Sequence, residues 1–333
     1  MKAIVYTEYG SPDVLHLAEI EKPTPKDNEI LIKIHARPVG FGDILARDLA
    51  FSKFHMPALL WLPTKLIMGI SKPRMKILGA ELAGEVEAIG NAVTQFKVGD
   101  QVFGYPGQSF GANAEYICMK ENGVVAIKPD NMSYEEAACV PYGAMTALSL
   151  LRRMNIQSGQ KVLINGASGA IGAAAVQIAK HYGAEVTGVC GTARLDYVKA
   201  LGADKVVDYT KEDFTQNGET YDLIMDILGK VSFSKVKGSL NANGRCLYAS
   251  FKMKQLLQML WTKFVGDKKV ICAIAPDNRE DLMTVKELVE VGKIKTIVDK
   301  CYLLEQTAEA HRYYESGQVK GKVVITSAHT TIK

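Results

Sequence analysis

The chain has 333 residues, with 40 Lys and Arg against 36 Asp and Glu, a formal net charge of +4. That length predicts two domains, and ordinary apolar and charged fractions place the chain among globular enzymes. The small charge, spread along the chain, excludes a nucleic-acid binder, and the greasiest segment, 56–70, is too broken by Pro57, Pro63 and Lys65 to span a bilayer.

The N-terminus, MKAIVYTEYG, enters an alternating strand pattern at once and has no signal-peptide features. Strands are predicted at Lys2–Tyr6, Glu29–Ala36, Glu81–Ile89, Gln101–Gly104 and Ala114–Met119, punctuated by turn signals such as Tyr9-Gly10-Ser11-Pro12 and Gly90-Asn91. From about Lys120 the texture changes. Ser133 and Glu136 form a capping-box pattern ahead of a helix over Glu135–Val140, and a second helix is predicted over Ala144–Met154. Strands at Lys161–Asn165, Glu185–Val189, Lys205–Asp208, Leu223–Asp226, Gly244–Ala249 and Lys269–Ala275 then alternate with helices, the signature of a parallel doubly wound sheet. A helix near Glu280–Val291, a strand near Ile297–Tyr302, a helix over Glu305–Ser316 and a strand over Lys322–Thr326 complete the chain. Lys252, Lys254, Lys263, Lys268 and Lys269 come nearest to a basic cluster and read as a solvated face. The six cysteines are scattered with no C-x-x-C pair, as expected of reduced thiols in a cytoplasmic protein.

The stretch KVLINGASGAIGAAAVQIAKHYGAEVTGVCG, from Lys161 to Gly191, carries the most chemistry. Gly166, Gly169 and Gly172 lie in a G-x-x-G-x-x-G frame between a strand and an Ala-rich helix over Ala173–His181. Backbone amides at such a helix N-terminus approach a pyrophosphate closely where no Cβ intervenes. The alternative is a tight strand-to-helix turn that binds nothing. Candidate cofactor residues in this turn are Gly166, Ser168, Gly169, Ala170, Ile171 and Gly172. An NAD site wants an acid at the end of the second strand, yet that strand runs into Cys190, Gly191, Thr192, Ala193 and Arg194. Thr192 reads as the N-cap of a helix over Arg194–Leu201, with Arg194 in its first turn, where a cation makes sense beside an anion such as the 2′-phosphate of NADPH. The bland alternative is an arginine reaching into water. Gly191, Thr192, Arg194 and Tyr209 complete the candidate cofactor set, and the expected cofactor is NADP(H).

The phrases GSPDVL, ILGAELAGEVEAIG, FKVGDQVFG, GANAEY, EEAACVPYGAMTAL, LGADKVVDY, YDLIMDILG, ANGRCLYAS and GKVVIT follow one another in an order that resembles the medium-chain dehydrogenase/reductase superfamily. The resemblance implies an α/β architecture: a GroES-like β-rich catalytic domain over 1–124, a doubly wound parallel Rossmann domain over 125–277, and a C-terminal segment, 278–333, that completes the first. In that family the catalytic zinc ligands fall on Gly40, Ala80 and Tyr142 of this sequence, and no cysteine stands between Gly90 and Glu115 for the structural zinc. No metal is therefore expected, which places the chain beside the zinc-free quinone oxidoreductase and enoyl reductase branch. Quinone reductases there carry Asn at the position of Gly40, a departure in this chain.

The expected chemistry is NADPH-dependent hydride transfer to a quinone or an α,β-unsaturated carbonyl compound, with enoyl-thioester or carbonyl reduction, or a non-catalytic NADPH-binding regulator, as alternatives. The resemblance puts the nicotinamide beside Thr146 of the G-x-x-T-A phrase. Tyr142 and Asp43 are the candidate catalytic residues, against a packing role for Tyr142 and a backbone-orienting role for Asp43. The insert from Phe51 to Met75, rich in Phe, Met, Leu and Trp, reads as a wall for a small apolar carbonyl or quinone substrate, as loop core, or as a dimer contact. Strand Lys268–Ala275 reads as a sheet edge, and the resemblance suggests a homodimer joined there.

Overall fold

The computed structural model describes residues 1–48, 61, 65–66 and 68–327. Most of the expected apolar insert lies outside the described residues. The chain divides into two compact units: Met1–Pro141 with Asp277–Glu290 and Thr296–Lys333, and Tyr142–Pro276 with Val291–Lys295.

In the first unit, β1 (Lys2–Val5) pairs with β2 (His16–Glu19). The long β3 (Glu29–Pro38) is the spine of a mostly antiparallel sheet. Its alternation sends Ile30, Ile32 and Ile34 to one face, where they pack with Leu82, Val86 and Val102. After α1 (Phe41–Arg47), β4 (Leu82–Ile89), β5 (Gln101–Gly104), β6 (Tyr116–Lys120) and β7 (Val125–Ile127) join that sheet. β7 pairs with β5, so the chain stays in this unit past the expected break at 124. The reason is α2 (Tyr134–Ala138), which packs on β3, where His35 stacks on Tyr134 with ring centroids 4.4 Å apart. The expected capping box is present: the Glu136 amide donates to Ser133 Oγ at 3.2 Å, and the Ser133 amide donates to Glu136 Oε2 at 2.9 Å.

The second unit opens with α3 (Pro141–Arg153). β8 (Lys161–Asn165), α4 (Ala170–His181), β9 (Glu185–Cys190), α5 (Leu195–Ala200), β10 (Lys205–Asp208), β11 (Tyr221–Asp226), α6 (Phe233–Val236), β12 (Leu240–Tyr248), α7 (Met253–Phe264) and β13 (Lys269–Cys272) follow. All six strands are parallel in the order β10-β9-β8-β11-β12-β13. Progress along the chain reverses between β8 and β11, the switch point where doubly wound sheets open a binding crevice.

β13 is the last strand of this sheet, as expected, and α7 lies along its outer side. The Ala273 amide bonds Tyr248 O on β12, so alternation turns the Val270 and Cys272 amides outward. Thr262 Oγ1 accepts from Val270 N at 3.0 Å, and Met259 Sδ accepts from Cys272 N at 3.3 Å. Side chains of α7 thus occupy amides that a second strand would need.

The chain then returns to the first unit through α8 (Arg279–Glu290), β14 (Val298–Leu303), α9 (Thr307–Glu315) and β15 (Lys322–Thr326), which pairs with β3. α9 brings two polar groups to Arg47, which is 1% exposed. The guanidinium donates to Glu315 Oε1 at 2.7 Å and to His311 Nδ1 at 2.9 Å, which leaves the ring proton on Nε2. Burial, helped by Arg47, holds the His311 imidazole down at about 3 from an ordinary 6.5. In the unfolded chain this ring takes a proton below pH 6.5; in the fold it stays neutral. Its stability contribution is therefore complete above pH 6.5 and is lost as pH falls toward 3. Between pH 6.5 and about 5 the loss from this group should be about 2 kcal/mol. His311→Gln should remove that slope, and denaturant midpoints of both proteins at the two pH values measure it; parallel pH dependences would refute the assignment.

Candidate active site

The second unit assembles most of the expected cofactor residues. β8 ends at Asn165, and the chain turns at Gly166, whose φ of +91° suits glycine. Gly172 is buried within α4, where a Cβ would collide with the Gly166 carbonyl, so helix and turn sit in direct backbone contact. Gly169 is the N-cap of α4 and supplies no side chain to the helix amides, and no acid stands in the first turn. The leading amides of a helix lack intrahelical acceptors, and here the N-cap residue gives them no side-chain hydrogen bond. A helix of twelve residues so arranged favours an anion at that end.

α3 approaches the same helix end. A Cβ on Gly143 would lie 2.6 Å from the Ala170 carbonyl oxygen, so this glycine seats α3 against the start of α4. Between Pro141 and Leu151, Tyr142 and Thr146 alone are not fully buried. Four residues apart, they share one face of α3.

Asn165 and Asp226 form a polar pair at the site that the sequence reading missed. They are register partners on β8 and β11, either side of the switch point. Asn165 Nδ2 donates to Asp226 Oδ1 at 2.9 Å, and the amides of Gly229 and Val231 donate to the same carboxylate at 3.1 and 3.0 Å. Burial raises the Asp226 pKa, while these donors pull it back down. The pair fixes the loop after β11 beside the glycine turn. The only signal was its place at the ends of two predicted strands.

At the ends of β9 and β10 two expectations need correction. Thr192 is not the N-cap of a long helix. Thr192–Arg194 forms a 3₁₀ turn capped by Gly191, and Arg194 stands as N-cap of the six-residue α5. The Thr192 hydroxyl instead donates to Asp208 Oδ2. Second, a carboxylate does reach this corner, because parallel register sets Asp208 opposite Cys190. Asp208 also accepts from the Thr210 amide at 3.0 Å and hydroxyl at 2.7 Å, and these bonds, Thr192's first, lower its pKa. Tyr209 is exposed, and its ring edge lies near Gly191. Gly191, Thr192, Arg194 and Tyr209 therefore do share one corner, with Asp208 among them.

In the first unit, Asp43 is 3% exposed at the start of α1. Its Oδ2 accepts from the Gly40 amide and its Oδ1 from the Gly79 amide, both at 2.9 Å. Burial pushes its pKa up to about 6, against the pull of those amides. An ionised carboxylate held this way orients two loops of backbone. The sign is opposite to that of His311: this group favours folding in acid, an advantage lost as pH rises toward 6.

Residues 26–130 match the alcohol dehydrogenase GroES-like domain, and residues 201–325 match the zinc-binding dehydrogenase model. The chain is 32% identical to 2-methylene-furan-3-one reductase of Solanum lycopersicum, over 98% of this chain and 79% of that protein. It is 30% identical to the chloroplastic NADPH-dependent alkenal/one oxidoreductase of Arabidopsis thaliana, over 98% and 79%. The solved quinone oxidoreductase of Coxiella burnetii aligns at a TM-score of 0.82 and 27% identity, over 98% of this chain and 99% of that one. A GroES-like unit with a Rossmann unit is the architecture of medium-chain dehydrogenases and reductases, and the chain belongs to that superfamily. Within it the chain is quinone oxidoreductase-like.

The family implies a nicotinamide cofactor, and the uncapped amides of α4 with the Cβ-free contact at Gly172 fit its pyrophosphate. Zinc does not fit. Gly40 and Ala80 have no donor atoms in their side chains, and among the described residues no three His, Cys, Asp or Glu cluster as ligands.

Two alanine substitutions separate fold from ligand. Gly172→Ala should cost about 1–3 kcal/mol of stability, because backbone has to move. Gly169→Ala meets only the Gly166 carbonyl oxygen at 3.5 Å, so stability should stay within about 1 kcal/mol while dinucleotide affinity falls. Thermal melts with and without dinucleotide test this; undiminished affinity in Gly169→Ala would remove that residue from the site.

Proposed function

We propose that the protein is an NADPH-dependent reductase of quinones or α,β-unsaturated carbonyl compounds that works without zinc. The observation that carries this reading is the N-terminus of α4, which has no side-chain cap and no acid in its first turn, with half-buried Tyr142 and Thr146 on one face of the helix seated against it. The names of the relatives support the substrate class. Gly166, Ser168, Gly169, Ala170, Ile171 and Gly172 would hold the pyrophosphate, and Gly191, Thr192, Arg194 and Tyr209 the adenosine end.

Thr146 on α3 would help to hold the nicotinamide, which when bound would supply the hydride for reduction. Reduction at the alkene β-carbon would move an electron pair onto the substrate oxygen. The Tyr142 hydroxyl donates a hydrogen bond to that oxygen as charge develops, and solvent completes protonation. Asp43 acts by holding the Gly40 and Gly79 loops in place. A cytoplasmic location and a homodimer belong to the same reading.

Arg194 favours NADPH through its 2′-phosphate, with at least about tenfold preference over NADH, about 1.4 kcal/mol. Arg194→Ala should weaken NADPH and spare NADH. Asp208 is the one observation that favours the opposite choice, since a carboxylate suits a ribose diol. Titration of both dinucleotides decides: equal or tighter NADH binding would overturn the NADPH assignment.

Turnover of enones and quinones tests the chemistry. Tyr142→Phe should lower kcat by about ten- to a thousandfold with cofactor affinity unchanged. An unaltered kcat would strike Tyr142 from the mechanism, and absence of dinucleotide oxidation across the substrate panel would refute the reductase reading.

A further inference from the structure

Helix α7, MKQLLQMLWTKF, has two apolar faces where a surface helix needs one. The inner face holds buried Thr262 and half-buried Met259, which serve β13. The outer face carries Met253, Leu257, Leu260, Trp261 and Phe264, between 52% and 80% exposed. Their spacing of four, three, one and three residues puts all five on one stripe. Scattered exposed apolar residues need no explanation, but a contiguous stripe marks an interaction surface.

The charge around it is equally one-sided. Residues 227–276 hold nine Lys and Arg and one acid, Asp267, while the rest of the chain has more acidic than basic side chains. α7 itself contains no acid, and Lys252, Lys254 and Lys263 are exposed along it. Lys235 and Lys237 are exposed on the neighbouring segment, whose Phe233 shares a core cluster with Met259. The lysines that read as an ordinary solvated face thus border a large apolar stripe.

We propose that the outer face of α7 seats the protein on an anionic lipid surface. Leu, Trp and Phe enter the headgroup–acyl boundary, and lysine stems lie along the apolar stripe with their ammonium groups toward lipid phosphates. The helix lies in the plane of the surface: twelve residues reach about 18 Å, short of the roughly 30 Å core of a bilayer. A second copy of the chain fits worse as occupant, because a symmetric contact would bring two strongly basic segments together.

Flotation of the full-length protein with vesicles tests this, comparing phosphatidylcholine alone with phosphatidylcholine containing about one-third phosphatidylglycerol. Partition should be at least about tenfold higher on the anionic vesicles and fall with added salt. The double variant Leu257→Ser with Phe264→Ser should lose at least about tenfold in partition while keeping its melting midpoint, since both side chains are exposed. Lys254→Gln with Lys263→Gln should reduce the preference for anionic lipid. No flotation of the parent protein, or flotation unchanged by Leu257→Ser with Phe264→Ser, would overturn the proposal. So would a dimer in light scattering that the same double variant dissociates, with no vesicle binding, which would assign the face to a second copy.

Discussion

The second unit depends on one contact made possible by a missing atom. Gly172 has no Cβ, so α4 lies against the Gly166 carbonyl and its first amides open at the end of β8. Everything else at this corner is arranged around that contact. Gly143 lets α3 reach the start of α4 and brings Tyr142 and Thr146 with it. Asn165 and Asp226 then lock the neighbouring strand end and its loop across the switch point. Backbone proximity, with no large side chain, sets the geometry.

The first unit solves a different problem, that of keeping charge inside. Arg47 is satisfied by Glu315 and His311, both on α9, so a C-terminal helix is tied to an N-terminal one by charge-assisted bonds. Asp43 accepts from two amides. Burial outweighs those hydrogen bonds and the charge of Arg47, and its pKa rises to about 6. Both groups cost solvation energy, and each returns it as a fixed loop or helix position.

Helix α7 links architecture to surface chemistry. Its inner residues cover the outward amides of β13, a protected sheet edge of the kind that prevents uncontrolled strand pairing. The outer face leaves five large apolar side chains in water, a standing cost that no contact within the unit explains.

Periodicity, capping residues and glycine spacing were enough to place β3, β5, β8, the Ser133 capping box and the turn at Gly166–Gly172, because each depends on neighbours within a few residues. The parallel, doubly wound character of the second unit followed from β/α alternation. Strand β2, helix α1 and helix α7 escaped notice: the first two are short, and α7 mixes apolar residues on both faces, which blurs its period. Asp208 reaches Thr192 only through β9–β10 register, and no local pattern announces a residue sixteen positions away. The same holds for Asn165 with Asp226 and for Arg47 with His311. The sequence by itself determined the strand-turn-helix cradle, whose φ values and close approach only glycine supplies. Tertiary structure alone decided which carboxylate stands beside Thr192 and what lies along the last strand of the sheet, because both rest on pairing between segments distant in the chain.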